Sequence, residues 1–181
     1  MACVRAVGLA SMSHEVRRSD VMDLARRQYS CALKTTNNAL QSPEKAILDE
    51  TLASVMLLAL LEIVTHQDQE SSDKWTNHVN GALALLVCRR PMQFKSVIGL
   101  LLFNQISSSI RVSCVKRKLR IPSDVLSLSV QASSFLDTAN AVSRFFIITE
   151  AFPDLRAAIE DSQIIDPACV IRLASEVDQQ A

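Results

Sequence analysis

The sequence predicts an all-α fold: a single multi-helix bundle around one buried central helix at about residues 44–66. Three observations carry that prediction. Glycine is scarce, three in 181 residues, whereas hairpin turns and phosphate-cradling loops both consume it. Apolar residues recur with helical period along almost the whole chain. And the run from Ile47 to Val64 leaves no polar face, the pattern of a helix enclosed by other helices.

Residues 1–19 read as an N-terminal extension. Arg5 is followed by a short stretch containing Ser and Gly and then by Ser13-His14-Glu15, which does not make a signal peptide. Met22, Ala25, Tyr29, Ala32, Leu33, Thr36 and Leu40 mark an amphipathic helix over 20–41, with Ser19 as its expected N-cap. Asp20 and Asp23 lie where the helix dipole favours negative charge. Ser42-Pro43-Glu44 is a stop-and-start signal, with proline at a first helical position. The central helix follows and ends in the polar stretch Gln67 to Ser72. Asp73 is expected to cap the next helix, whose inner face would carry Trp75, Val79, Ala82, Leu83 and Leu86. Arg89 and Arg90 complement its C-terminal dipole before Pro91 stops it. Gly81 inside this helix predicts close approach of a neighbour, since an internal glycine costs about 1 kcal/mol against alanine.

A further helix is expected from Phe94 to about Lys116, with Val97, Ile98, Leu101, Leu102 and Ile106 facing inward and Ser107 to Ser109 as a possible interruption. Leu126 to Val130 alternates like a strand. The longer helical spacing of Val125, Leu128, Ala132, Phe135, Ala139, Val142 and Phe146 outweighs it. The main helical domain thus spans 20–150. Residues 151–181 form an acidic tail, broken at Phe152-Pro153, with a last helix starting at Asp166-Pro167.

Composition narrows function by exclusion. Nineteen basic and nineteen acidic residues cancel, so no net field steers the chain to nucleic acid or a membrane surface. With one Trp, one Tyr and six Phe there is little to build base-stacking platforms. The five cysteines, Cys3, Cys31, Cys88, Cys114 and Cys169, include no close pair, which argues for isolated buried thiols over a disulfide framework or zinc knuckle. The longest uncharged run, Ser96 to Ile110, holds fifteen residues, short of the roughly 20 that a membrane span needs.

No phosphate loop, nucleophile elbow or His-Glu-x-x-His pair is present, so no catalytic, cofactor-binding or metal-ligating residue is assigned. The nearest approach to a site is Glu62 with His66 on one helix face and His78 on the next helix. As a chemical site it would be a metal centre or an acid–base pair. The structural alternative, which we favour, has Glu62 accepting a hydrogen bond inside the bundle and His66 capping carbonyls at its helix end. Arg111, Lys116, Arg117, Lys118 and Arg120 form a basic run that could touch phosphates or an acidic partner. A solvated helix end is the favoured reading, since no aromatic residue interleaves it.

The order of segments carries a resemblance. Asp49-Glu50-Thr51-Leu52 opens the apolar helix that runs to Leu61-Glu62. Trp75-x-x-His78-Val79-x-Gly81-Ala82 runs on to Leu86 and Arg89. Upstream stand Tyr29-x-x-Ala32-Leu33, Asn38-Ala39-Leu40 and Pro43; downstream stand Arg120-Ile121-Pro122, Leu126 and Leu128. Over roughly residues 20–130 these resemble the regulatory domain of fungal-specific transcription factors, whose DNA-binding half is a six-cysteine binuclear zinc cluster. The resemblance implies an all-helical, non-enzymatic module in the nucleus, acting in transcription through contacts with another protein, a second copy or a full-length relative, with control of a biosynthetic gene cluster among its expected roles. It assigns no cofactor. The zinc cluster's cysteines have no counterpart here, so the chain reads as the regulatory half alone and DNA contact by it is not expected. The alternative is a helical protein- or ligand-binding module outside transcription.

Overall fold

The computed structural model describes residues 2–65, 69–117 and 119–135. They form helices α1 (Ala2–Val16), α2 (Ser19–Leu40), α3 (Pro43–Ala46), α4 (Asp49–Thr65) and α5 (Gln69–Arg89), a 3₁₀ helix (Arg90–Lys95), α6 (Val97–Arg117) and α7 (Ser123–Ser133). No strand occurs among the described residues, so the all-α prediction holds. The chain divides into two compact units, Met1–Arg89 and Arg90–Ala181.

In the first unit, α1 packs on α2 and α4, and α5 packs on α4. The sequence reading assigned no helix to residues 2–16. The reason is visible in the side chains that α1 buries: Cys3, Ala6, Ala10 and Ser13. They are small, so they carry almost no hydropathy signal, yet they let helices approach closely. Ala6 and Ala10 meet Ala25 and Leu61, with Met22, Tyr29 and Val64 around them. Cys3 meets Ala32 and Leu58, with Tyr29, Leu33 and Leu57 alongside. Tyr29 borders both clusters.

The turn from α1 to α2 is made by a residue in the left-handed region. Arg17 has φ 53°, and the Arg18 amide donates to the Ser13 carbonyl at 3.3 Å. This is the bond of a Schellman ending, whose left-handed position usually holds glycine. Arg18, not Ser19, stands at the N-cap of α2, with no side-chain capping bond; it pairs instead with Asp20 at 2.6 Å. Ser42 is the N-cap of α3, but its hydroxyl donates to Glu44 rather than accepting from the backbone.

The expected central helix is split. Backbone turns at Ile47 and Leu48 separate α3 from α4, and the Thr51 hydroxyl donates to the Lys45 carbonyl at 2.7 Å across the break. Leu52, Val55, Leu58, Ala59 and Leu61 of α4 are buried, but Leu60 and Ile63 are 42% and 54% exposed. The rod is apolar all round, yet α1, α2 and α5 leave one side of it open to solvent. α5 begins before Asp73, because Gln and Glu in the stretch read as a loop are good helix formers. Gly81 is exposed, and a Cβ built there meets nothing within 4 Å. The neighbouring Ala82, fully buried, is the small residue on the inner face.

In the second unit, the 3₁₀ helix buries Gln93 and Phe94. The Phe94 ring meets Phe103 edge-on at 5.0 Å and Phe135 at 5.9 Å. The Ser96 hydroxyl caps α6, accepting from the Gly99 amide at 2.9 Å. Gly99 is where glycine is required: an added Cβ would overlap the Gln93 carbonyl oxygen and lie 2.8 Å from the Ser96 hydroxyl. With Gly99 pressed inward, Phe103, Ile106, Ile110 and Cys114 follow on the same face and are buried. Val97, Ile98 and Leu101, expected inside, point outward. α7 confirms the helical choice, burying Val125, Leu128, Ser129 and Ala132.

One helix among the described residues is long and apolar enough to cross a membrane, Val97–Cys114 at mean hydropathy 1.3. Half of that window is buried within the fold, and it contains the buried Arg111. The tail, the helix from Asp166-Pro167 and the positions beyond Phe135 lie outside the described residues.

Candidate functional site

Two polar clusters stand at the two ends of the α4–α5 pair. These helices run antiparallel, so the start of α4 meets the end of α5. There Asp49 is ion-paired with Arg89. Each charge also suits its own helix terminus: an acid in the first turn of α4, a base in the last turn of α5. The Arg89 side chain is only 8% exposed, and its Nη1 is buried without a hydrogen-bond partner.

At the other end stands Glu62, 3% exposed. The Tyr29 hydroxyl of α2 donates to Glu62 Oε1. His78 of α5 holds its Nε2 4.0 Å from the same oxygen, with its side chain 20% exposed. That separation is too long for a hydrogen bond, whereas Tyr29 is directly bonded to Glu62. Burial pushes the Tyr29 hydroxyl above its ordinary value of 10.0, and the Glu62 carboxylate adds to the shift. For His78 burial also dominates. It holds the imidazole below its ordinary 6.5, although the Glu62 charge pulls the other way. A recess of about 40 Å³ opens beside this cluster, lined by Ala25, Arg26, Tyr29, Leu61, Glu62 and Thr65. That is room for a water molecule but not for an organic cofactor.

Sequence reasoning correctly made Glu62 an internal hydrogen-bond acceptor but missed its partner. Tyr29 lies 33 residues away, and only the shared α2–α4 face brings the two together. A carbonyl near the end of α4 is bonded from another helix. His66 lies outside the described residues, whereas His14 of α1 donates through Nε2 to the Val64 carbonyl at 2.7 Å. Among the described residues no group of three His, Cys, Asp or Glu is placed to hold a metal ion.

The remaining named residues divide by environment. Leu52, Leu61 and Leu86 are buried, Leu57 and Trp75 are half-buried, and Gly81 is on the surface. The basic run does not form one patch. Arg111 is buried and donates to Ser129 at 2.9 Å, tying α6 to α7, while Arg117 and Arg120 are exposed. The side chains of Lys116 and Lys118 lie outside the described residues. The cysteines are not uniformly buried thiols either: Cys3 and Cys114 are buried, Cys31 and Cys88 exposed, and none of these four is in a disulfide.

Three of the strings that carried the family resemblance, all in the first unit, are therefore joined in space. Tyr29 from one, Asp49 and Glu62 from another, and His78 and Arg89 from a third hold α2, α4 and α5 together from both ends. No curated protein and no solved structure matches the chain. A profile of the fungal specific transcription factor domain matches residues 1–137, covering α1 to α7 in both units, and the chain belongs to that family.

Proposed function

We propose that this chain is a regulatory module of fungal transcription control, acting through protein–protein contacts in the nucleus rather than by catalysis. The observation that carries the reading is the family match across residues 1–137. The polar groups support it, because Asp49, Glu62 and Arg111 are engaged in joining helices. The open side of α4, with Leu60 and Ile63 in water, is an apolar surface of the sort that protein partners cover. Its occupant on this reading is a full-length relative or a second copy of the chain. Regulation of a biosynthetic gene cluster is the setting proposed for it.

Co-expression of the tagged chain with a full-length family member, followed by pull-down, tests this. A complex that is lost when Leu60 and Ile63 are both replaced by arginine is the expected result, with the tagged chain in the nucleus. Failure to form any complex, with the relative's DNA binding unchanged, would overturn it.

A further inference from the structure

We propose that Glu62, shared between Tyr29 and His78, forms a proton-sensitive clasp that releases the first half of α5 from α4 in mild acid. The geometry gives His78 two states. Uncharged, it lies 4.0 Å from Glu62 Oε1, beyond hydrogen-bond reach of the oxygen that accepts from the Tyr29 hydroxyl. Charged, it must be rehydrated in a place where its side chain is only 20% exposed, or move to close the gap to a carboxylate already held by Tyr29. Either route disturbs the turn of α5 that carries His78 and the neighbouring buried Val79.

The groups around His78 limit what can offset that charge. Glu62 comes from α4. Tyr29 and Arg26 come from α2, with Arg26 lining the recess beside Glu62 and paired to Asp23. His14 of α1 is bonded to the Val64 carbonyl. Asp73 and Lys74 stand about one turn earlier on α5 itself. Glu62 is the acid that acts on the imidazole, and its attraction is outweighed by burial. The protonated form is thus favoured in the unfolded chain, where histidine titrates near 6.5. Stability from this group is fully present above that pH and is lost as pH falls through the folded value. The Asp49–Arg89 pair at the far end keeps the second half of α5 in place.

The test uses the full chain alone, so it stands or falls independently of any partner. The imidazole of His78 is titrated by NMR, and amide exchange along α5 is compared at pH 7.0 and 5.5 after correction for intrinsic rates. The expected result is a His78 midpoint below 6.5 and a several-fold loss of protection at residues 75–82, with residues 84–89 unchanged. In His78→Gln the same residues keep their protection at both pH values. A midpoint at or above 6.5 overturns the proposal. So does unchanged protection in the natural chain, or an equal loss in His78→Gln. If that variant does not fold, the titration and exchange of the natural chain still decide.

Discussion

Asp49 and Arg89 are 40 residues apart in sequence and directly paired in space, at the point where the first unit ends. The pair is asymmetric: Arg89 is almost fully buried and Asp49 about one-third exposed. Removing the acid leaves a desolvated guanidinium without its counter-charge, whereas removing the base leaves a carboxylate that water can reach. Asp49→Ala is expected to destabilise the first unit by about 2–4 kcal/mol and Arg89→Met by less. Urea unfolding of the two variants and of the double variant measures the difference; the double variant is expected to be no worse than Asp49→Ala.

Tyr29→Phe removes the donor from a buried carboxylate oxygen and is expected to cost about 1–3 kcal/mol. It also changes the alkaline limb. The Tyr29 hydroxyl titrates above its ordinary 10.0 in the fold, so its contribution is complete below pH 10 and is lost as pH rises through the folded value. Because the chain has a single tyrosine, tyrosinate absorbance reports this group alone. The expected titration lies above 10 in the folded chain and returns to about 10 in urea.

The three glycines are not equivalent. Gly99→Ala forces a methyl group against the Gln93 carbonyl and is expected to destabilise the second unit by about 1–3 kcal/mol. Gly81→Ala adds a methyl group to open space and is expected to stabilise by up to about 1 kcal/mol through helix propensity. Opposite signs of the melting shift distinguish these two positions.

Arg17 occupies a left-handed conformation that costs a side-chain-bearing residue about 1–2 kcal/mol. Arg17→Gly is expected to raise stability by a net amount of up to about 1 kcal/mol, the rest being offset by the entropy of glycine in the unfolded chain. Thermal melting checks the sign.

Much of this architecture could be read from residue spacing. The range of α2, the helical character of α7 and the inner face of α5 follow from regularly spaced large apolar side chains. What could not be read came from residues with little hydropathy signal. α1 buries Cys, Ala and Ser, so its face looks like no face at all. On α6 the largest aliphatic residues, Val97, Ile98 and Leu101, suggested an inward side that Gly99 takes instead, because its contact with the Gln93 carbonyl sets the rotation of the helix. The clasp was half legible: Glu62 was recognised as an internal acceptor, but sequence spacing could not place a tyrosine from α2 against it.

The seam of small residues on α1 has a consequence for how the domain can be cut. A fragment starting at α2 would lack Cys3, Ala6 and Ala10, and the sides of α2 and α4 that these cover would be bare at Ala25, Ala32, Leu58 and Leu61. Such a fragment would present its apolar seam to chaperones and proteases, so α1 has to be kept for the first unit to stay whole.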